Sequence, residues 1–175
     1  MDVLSIIKQE HREVAALFDQ ANKCDAGDER LRELAREIAT KLSTHLAIEE
    51  RLFYARLKAR VDQEEDKVDV FEAYTEHAGA KGLMEMLKSG RKPDEQFKAE
   101  VQVLGENVKH HVKEEESKVF GLARQLLEDH ELDEIGEAWE KAKQRSERSK
   151  SSNGRSSTAK KRTTRTAKRR EVSRR

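Results

Sequence analysis

The chain has 175 residues, of which 41% are charged and 5% aromatic, and it contains a single proline. This composition favours long helices and argues against a β-sandwich. No stretch approaches the roughly 20 apolar residues of a membrane span. Charged side chains at Lys8 and Glu10 stand where a signal peptide needs an apolar run, and Cys24 has no second cysteine to pair with. We therefore expect a soluble, cytoplasmic protein with no membrane association.

Charge divides the chain into two parts. Residues 146–175 contain 12 basic and 2 acidic residues, whereas residues 1–145 contain 24 basic and 33 acidic residues. The basic part has no apolar periodicity and cannot bury enough surface to offset its ordering entropy. We expect a helical domain over residues 1–145 and a disordered Lys/Arg-rich tail over residues 146–175.

The apolar periodicity predicts five helices in chain order. The first begins at Asp2 as its N-cap, and the second covers about 29–60. The third ends at Gly90, Pro93 opens the fourth, and a short fifth helix covers 132–139. Four long amphipathic segments with short connections predict an all-α fold, an antiparallel four-helix bundle. No segment alternates with a two-residue period, so no sheet is expected.

Each of the four long predicted helices carries one histidine on its apolar face, and we call these four the seam histidines. Those on the second and fourth helices are each followed by a glutamate four residues later, on the same face. Matched members of this set lie 66 residues apart, so the chain contains two helical hairpins of one design. Buried imidazoles and carboxylates are costly without partners, and a metal ion would pair with both. The candidate ligands are His11, His45, Glu49, His77, His111 and Glu115.

This set is suited to two transition-metal ions. Imidazole binds iron, zinc, copper and nickel, and glutamate oxygens can bridge two cations. Each ion would receive two nitrogens and share both carboxylates, with water or a small ligand completing its coordination. A single histidine on an apolar face is more often a core residue, but four at repeat-matched positions favour ligation. Ferritin-like sites use Glu-xx-His, and no acidic residue precedes a seam histidine by three, which disfavours that fold.

The candidate ligands lie in four short motifs, which are Glu10-His11, His45-xxx-Glu49-Glu50-xx-Phe53, Glu76-His77 and His110-His111-xxx-Glu115-Glu116. Together these motifs resemble the bacterial hemerythrin-like, HHE cation-binding family, over residues 1 to about 143. The resemblance implies a four-helix bundle that holds a non-haem di-iron centre. It also implies that carboxylates, and usually an oxo or hydroxo group, bridge the two iron ions.

The sequence departs from the oxygen-carrying hemerythrins on the third helix. Those proteins have five histidines, including a His-xxx-His unit there, but the position four residues after His77 is Lys81. An ammonium group cannot ligate a cation and would be repelled by it. The site is therefore one nitrogen short of the carriers. This leaves room for an extra water, for Glu50 or Glu10 as ligands, or for Tyr54 or Tyr74 as hydrogen-bond donors.

The fourth helix offers two candidate carboxylates. The carrier spacing of five residues from His111 selects Glu116, whereas the internal repeat and the apolar face select Glu115, which we favour. His110 lies about 100° around the helix from His111 and is expected outside the ligand set.

Three functional hypotheses follow. The first is a protein that binds, senses or handles iron, dioxygen, nitric oxide or peroxide, with a role in oxygen binding or the stress response. The second is a di-iron enzyme with catalase-like or oxidase activity, so enzymatic turnover is left open. The third is a nucleic-acid-associated module, because the cations of residues 146–175 would contact phosphates without sequence specificity.

Overall fold

The computed structural model describes residues 1–87 and 91–149, which contain helices and no strand. Four long helices form the predicted antiparallel bundle, and a fifth follows them, so the predicted fold class is confirmed. The first three are α1 (Val3–Asn22), α2 (Glu29–Glu49, then a π-helical turn Glu50–Tyr54 and a last turn Ala55–Lys58) and α3 (Glu64–Met86). The others are α4 (Glu95–Glu114, then a π-helical turn Glu115–Val119 and Phe120–Leu126) and α5 (129–149).

Aspartate side chains cap the starts of α1, α2 and α4, through Asp2, Asp28 and Asp94. The side chain of Asp2 accepts a hydrogen bond from the amide of Ser5 at 3.0 Å, as the N-cap prediction requires. Asp94 accepts from the amide of Phe97 at 2.9 Å, so α4 begins after this cap and not at Pro93 as predicted. The difference arises because a capping carboxylate satisfies a free amide, which proline cannot do. Gly90, the predicted end of α3, lies outside the described residues.

The core has two apolar layers with the seam histidines between them. One layer is built from residues of α1, α2, α3 and α4. It includes Leu31, Ile38 and Leu104, which are all fully buried. The other contains Phe53, Tyr54 and Phe120, whose rings pack beside one another. Burial of these side chains supplies the main stabilisation of the bundle and excludes bulk water from the histidine level.

The chain divides into two compact units, Met1–Trp139 and Glu140–Arg175, the second described only to Ser149. Residues 140–149 are helical, so helix extends past the predicted start of the tail at Ser146, and α5 is longer than the short helix predicted. Residues 150–175, where most of the predicted tail falls, lie outside the described residues. In the described part of the chain, no helix has the length and apolar character that crossing a membrane requires.

Candidate metal centre

The first half of the centre forms around Glu49, which is fully buried on α2. Its Oε2 lies 3.4 Å from Nε2 of His45, one helical turn earlier, and 3.2 Å from Nε2 of His77 on α3. Both histidines are buried. The His-xxx-Glu spacing on one helix face thus places the two side chains side by side, as predicted from helix geometry.

The second half forms around Glu115, at the end of the α-helical part of α4 and also buried. Its Oε2 lies 3.2 Å from Nε2 of His11 and 3.9 Å from Nε2 of His111. The two halves meet where Nε2 of His77 and Nε2 of His111 approach to 3.2 Å. The structure therefore brings all six candidate ligands to one level of the bundle.

Several of these buried polar atoms make no hydrogen bond of good geometry within the described chain, although some of them lie 3.2–3.4 Å from one another. They are Nε2 of His11 and of His45, both carboxylate oxygens of Glu49, and Oε2 of Glu115. A buried polar atom that makes no hydrogen bond costs about 1–3 kcal/mol. Ligand atoms that lie within 4.8 Å of one another form three groups, namely His11–His45–Glu49, Glu49–His77–His111 and His11–His111–Glu115. Cations placed among them would satisfy the orphaned atoms, so the residues fit a metal centre.

A second carboxylate faces the outer nitrogen of each seam histidine. Within each hairpin, the glutamate that precedes the histidine of the first helix contacts the histidine of the second helix. Glu10 Oε2 lies 2.9 Å from Nδ1 of His45, and Glu76 Oε2 lies 2.9 Å from Nδ1 of His111. Histidines that bind metals commonly donate their other N–H to a carboxylate, which fixes the ring orientation.

Two more such contacts join the hairpins, and they are made by Glu50 and Glu116, the residues that follow Glu49 and Glu115. Glu50 Oε1 lies 3.0 Å from Nδ1 of His77, and Glu116 Oε1 lies 3.1 Å from Nδ1 of His11. We call Glu49 and Glu115 the inner glutamates, and Glu10, Glu50, Glu76 and Glu116 the outer glutamates. Of the alternatives left open by the sequence, Glu115 lies among the Nε2 atoms, whereas Glu116, Glu10 and Glu50 lie on the Nδ1 side.

Lysines pair with two of the outer glutamates. The ammonium of Lys81 donates to both oxygens of Glu50, at 2.6 and 2.7 Å, and thus lies outside the ligand set. Lys8 approaches Glu116 to 3.2 Å. The residue that replaces a carrier histidine therefore neutralises an outer carboxylate. His110, expected outside the ligand set, has a side chain that is 61% exposed and contacts Glu76 at 3.2 Å.

Aromatic donors connect the second apolar layer to the site. The Tyr54 hydroxyl donates to Oε1 of Glu115 at 2.7 Å, and the Tyr74 hydroxyl donates to the backbone carbonyl of Glu50 at 3.2 Å. The indole N–H of Trp139 on α5 donates to Glu10 at 3.3 Å. Sequence reasoning proposed the tyrosines only as alternatives and missed both Trp139 and the pairing of the outer glutamates. The sequence does contain a sign that the outer glutamates pair with the histidines, because the Glu-His and Glu-Glu dipeptides recur with the same 66-residue offset.

Each inner glutamate is next to a π-helical turn. The turn Glu50–Tyr54 follows Glu49 directly, and the turn Glu115–Val119 begins at Glu115 itself. Such turns add one residue to a helical turn and occur frequently at functional sites. The wider turn lets both Phe53 and Tyr54 face the core, where both are fully buried.

The charges in the site move several pKa values. Burial acts to lower the pKa of His45, but the carboxylates of Glu49 and Glu10 outweigh burial and raise it to about 10. Burial acts to raise the pKa of Glu49, but His45 and His77 hold it well below its usual range. Burial and the charges of the inner glutamates raise the pKa of Tyr54 well above its usual range, so its phenol keeps the proton that it donates.

A small cavity of about 10 Å³ adjoins the seam histidines. This is about the space that one water-sized molecule needs. Asn107 also lines it, and its Oδ1 is buried without a hydrogen-bond partner in the described chain. Lys41, the residue matched to Asn107 by the repeat, instead pairs with Glu13 at 2.9 Å. The apolar walls come from matched residues of the two hairpins, Val14 and Ala80, Leu42 and Val108, and Leu46 and Val112.

Comparison with known proteins gives three matches. A family model described as the hemerythrin HHE cation-binding domain matches residues 2–123. A crystal structure of a hemerythrin HHE cation-binding domain-containing protein from Mycobacterium kansasii superposes with a TM-score of 0.68 at 21% identity, covering 85% of this chain and 86% of that one. A protein of Nostoc sp. named DNA nickase is 26% identical over 143 residues, which are 82% of this chain. The match spans only 39% of that relative's length.

Proposed function

The chain belongs to the hemerythrin HHE cation-binding family, and from this premise we propose that it is a non-haem di-iron protein. The four seam histidines would supply nitrogen ligands, and the inner glutamates would bridge the ions and balance their charge. The observation that carries the proposal is the convergence of buried ligand atoms that have no hydrogen-bond partner in the described chain. A core of satisfied histidines would give the oxygens of Glu49 hydrogen bonds of good geometry, which they lack in the described chain.

The charge of the surroundings supports two divalent ions. The inner and outer glutamates provide six carboxylates around the histidines, and Lys8 and Lys81 pair with two of them. Two divalent cations and these two ammonium groups together balance the six carboxylates. Without the cations, protonated histidines would balance part of this charge, as the raised pKa of His45 indicates, and the cations would replace those protons.

Iron with open coordination positions would supply the binding or reduction of dioxygen, nitric oxide or peroxide. The chain contributes an enclosed space for such a ligand. The cavity beside the seam histidines has room only for a small molecule, and it is lined by apolar side chains together with the histidines. We therefore favour a protein that binds, senses or handles these small molecules, with turnover of peroxide or dioxygen as the alternative.

Two measurements test this function. Metal analysis of protein purified from an iron-supplied culture should give about two irons per chain, and the Glu49→Ala variant should give far less. Peroxide consumption by the loaded protein then separates the alternatives. Sustained turnover supports an enzyme, whereas a stable adduct without turnover supports a sensor or carrier. Loading with zinc alone under iron-sufficient conditions would refute the di-iron assignment.

A nucleic-acid role is the second candidate, favoured by the similarity to a protein named DNA nickase. The basic residues 146–175 would add affinity for phosphates, with a steep dependence on salt. The test compares the full chain with a variant lacking residues 146–175, using a duplex DNA of arbitrary sequence at several salt concentrations. Loss of affinity on truncation supports the role, and equal affinity at all salt concentrations refutes a role of the tail.

A further inference from the structure

The internal repeat makes the candidate centre two-fold in design. Every seam histidine, inner glutamate and outer glutamate has a counterpart 66 residues away in the other hairpin. Two sites built from equivalent residues would be expected to bind two cations equally well. A residue that breaks the match beside the ligands would make the two sites differ.

Such a break occurs at Tyr54, whose counterpart is Phe120. Both rings are buried, at 0% and 3% exposure, and both pack against Phe53. Only Tyr54 carries a hydroxyl, and this hydroxyl donates a 2.7 Å hydrogen bond to Oε1 of Glu115. The matched carboxylate, Glu49, has no hydrogen bond to either oxygen within the described chain.

The two inner glutamates consequently differ in the hydrogen bonds that they accept. Oε1 of Glu115 accepts from the phenol, whereas neither oxygen of Glu49 accepts a hydrogen bond of good geometry within the described chain. A carboxylate oxygen has two lone pairs, so Oε1 of Glu115 can still bind a cation. The phenol occupies one of these lone pairs and draws charge from the oxygen, so Glu115 would donate to a cation less strongly than Glu49.

The distances to the histidines differ in the same sense. Along the helix, the Glu49 Oε2 to His45 Nε2 distance is 3.4 Å, but the matched Glu115 Oε2 to His111 Nε2 distance is 3.9 Å. The close groups that contain Glu49 include all four seam histidines between them, whereas the group that contains Glu115 includes two. Glu49 is thus central, and Glu115 is displaced from its own helical partner.

We propose that Tyr54 is a positioning residue that makes the two cation positions unequal. The phenol of Tyr54 fixes the carboxylate of Glu115 and weakens its donation to a cation, whereas Glu49 has no such bond within the described chain. The inference rests on the proposed two-cation function and adds an order of loading to it. One cation would bind tightly, and the second would bind more weakly because the phenol draws charge from Glu115.

The test titrates the metal-free full chain with Co²⁺, whose visible spectrum reports its coordination. Wild type should bind two equivalents in two steps whose affinities differ by at least about tenfold, the size of one hydrogen bond to a charged group. Tyr54→Phe keeps the ring and removes the hydrogen bond to Glu115, so the second step should tighten and the ratio between the two step affinities should fall by about tenfold. Phe120→Tyr places a phenol at the matched position of the other hairpin and should weaken the tighter step.

The matched control is Tyr74→Phe, because the Tyr74 hydroxyl donates to the backbone carbonyl of Glu50 and not to an inner glutamate. This variant should leave both steps unchanged. Thermal unfolding of each metal-free variant checks that the fold is retained. Two bound Co²⁺ ions with the same step ratio in wild type and Tyr54→Phe would overturn this inference alone. Fewer than two Co²⁺ ions bound to wild type would overturn the two-cation centre itself.

Discussion

Replacing Glu10 by glutamine tests whether the outer glutamates orient ligands. Glu10 lies 2.9 Å from Nδ1 of His45, and its side chain is only 12% exposed, so solvent screens the pair weakly. Glutamine keeps the size of the side chain and an oxygen for Trp139, but it removes the charge that favours a metal-bound imidazole. Loss of such a partner typically lowers metal affinity 10- to 100-fold, which is about 1.4–2.8 kcal/mol.

The assay is competition between the protein and a chromophoric chelator for Co²⁺ or Fe²⁺ without oxygen. Glu76→Gln should weaken binding by a similar factor, because Glu76 holds His111 in the matched position at 2.9 Å. Glu13→Gln is the control, since Glu13 lies one turn from Glu10 on α1 but pairs with Lys41. Unchanged affinity in both Glu10→Gln and Glu76→Gln would refute an orienting role for the outer glutamates.

Three further outcomes are expected. Glu49→Ala should abolish metal loading and remove the stabilisation that the metal provides, about 2.7 kcal/mol at a hundredfold excess over Kd. In a melting experiment this is a fall in Tm of about 5–10 °C relative to the loaded protein, and full loading at unchanged Tm would contradict the assignment. Because the pKa of His45 is raised to about 10, the metal-free protein carries a proton there at neutral pH. Metal binding should release that proton and should weaken as the pH falls; calorimetry in buffers of different ionisation enthalpy measures the release. Protonated His45 also stabilises the metal-free fold, because its pKa is higher in the folded chain than in the unfolded chain. This stabilisation should be complete at low pH and should be lost as the pH rises towards 10. Asn107→Leu should keep the iron content but weaken nitric oxide binding about fivefold, the value of one hydrogen bond donated by the Asn107 side-chain amide, and unchanged affinity would refute that hydrogen bond.

The fold could be predicted because its signals are local and repeated. Apolar residues at three- and four-residue intervals mark the four long helices, and Asp2 is a cap that follows from the preference of aspartate for free amides. The positions of the seam histidines and inner glutamates could be predicted from the same periodicity, since residues four apart share a helix face. His45 and Glu49 meet for this reason, and the 66-residue repeat extends the argument to His111 and Glu115.

Features that depend on long-range geometry could not be predicted in this way. The π-helical turns depart from the 3.6-residue period on which the sequence reasoning relies, so the joint burial of Phe53 and Tyr54 gave no signal. Trp139 reaches Glu10 only because α5 packs against the start of α1, where a Cβ at Gly136 would collide with the backbone of Met1 to Val3. No spacing along one helix encodes such an approach.

The role of Lys81 also depended on a contact between helices. The sequence placed a cation one turn from His77, where it would oppose metal binding. The structure directs its ammonium away, into a hydrogen-bonded pair with Glu50 on α2. A residue that seemed to weaken the site therefore balances one of its outer carboxylates.

The proposed pair of iron ions between the two hairpins can be tested by the metal content and the optical spectrum of protein purified in air. We expect about two irons per chain, with charge-transfer bands of an oxygen-bridged pair that disappear in Glu49→Ala. Absence of iron, or zinc in its place, with the fold intact would refute the di-iron centre.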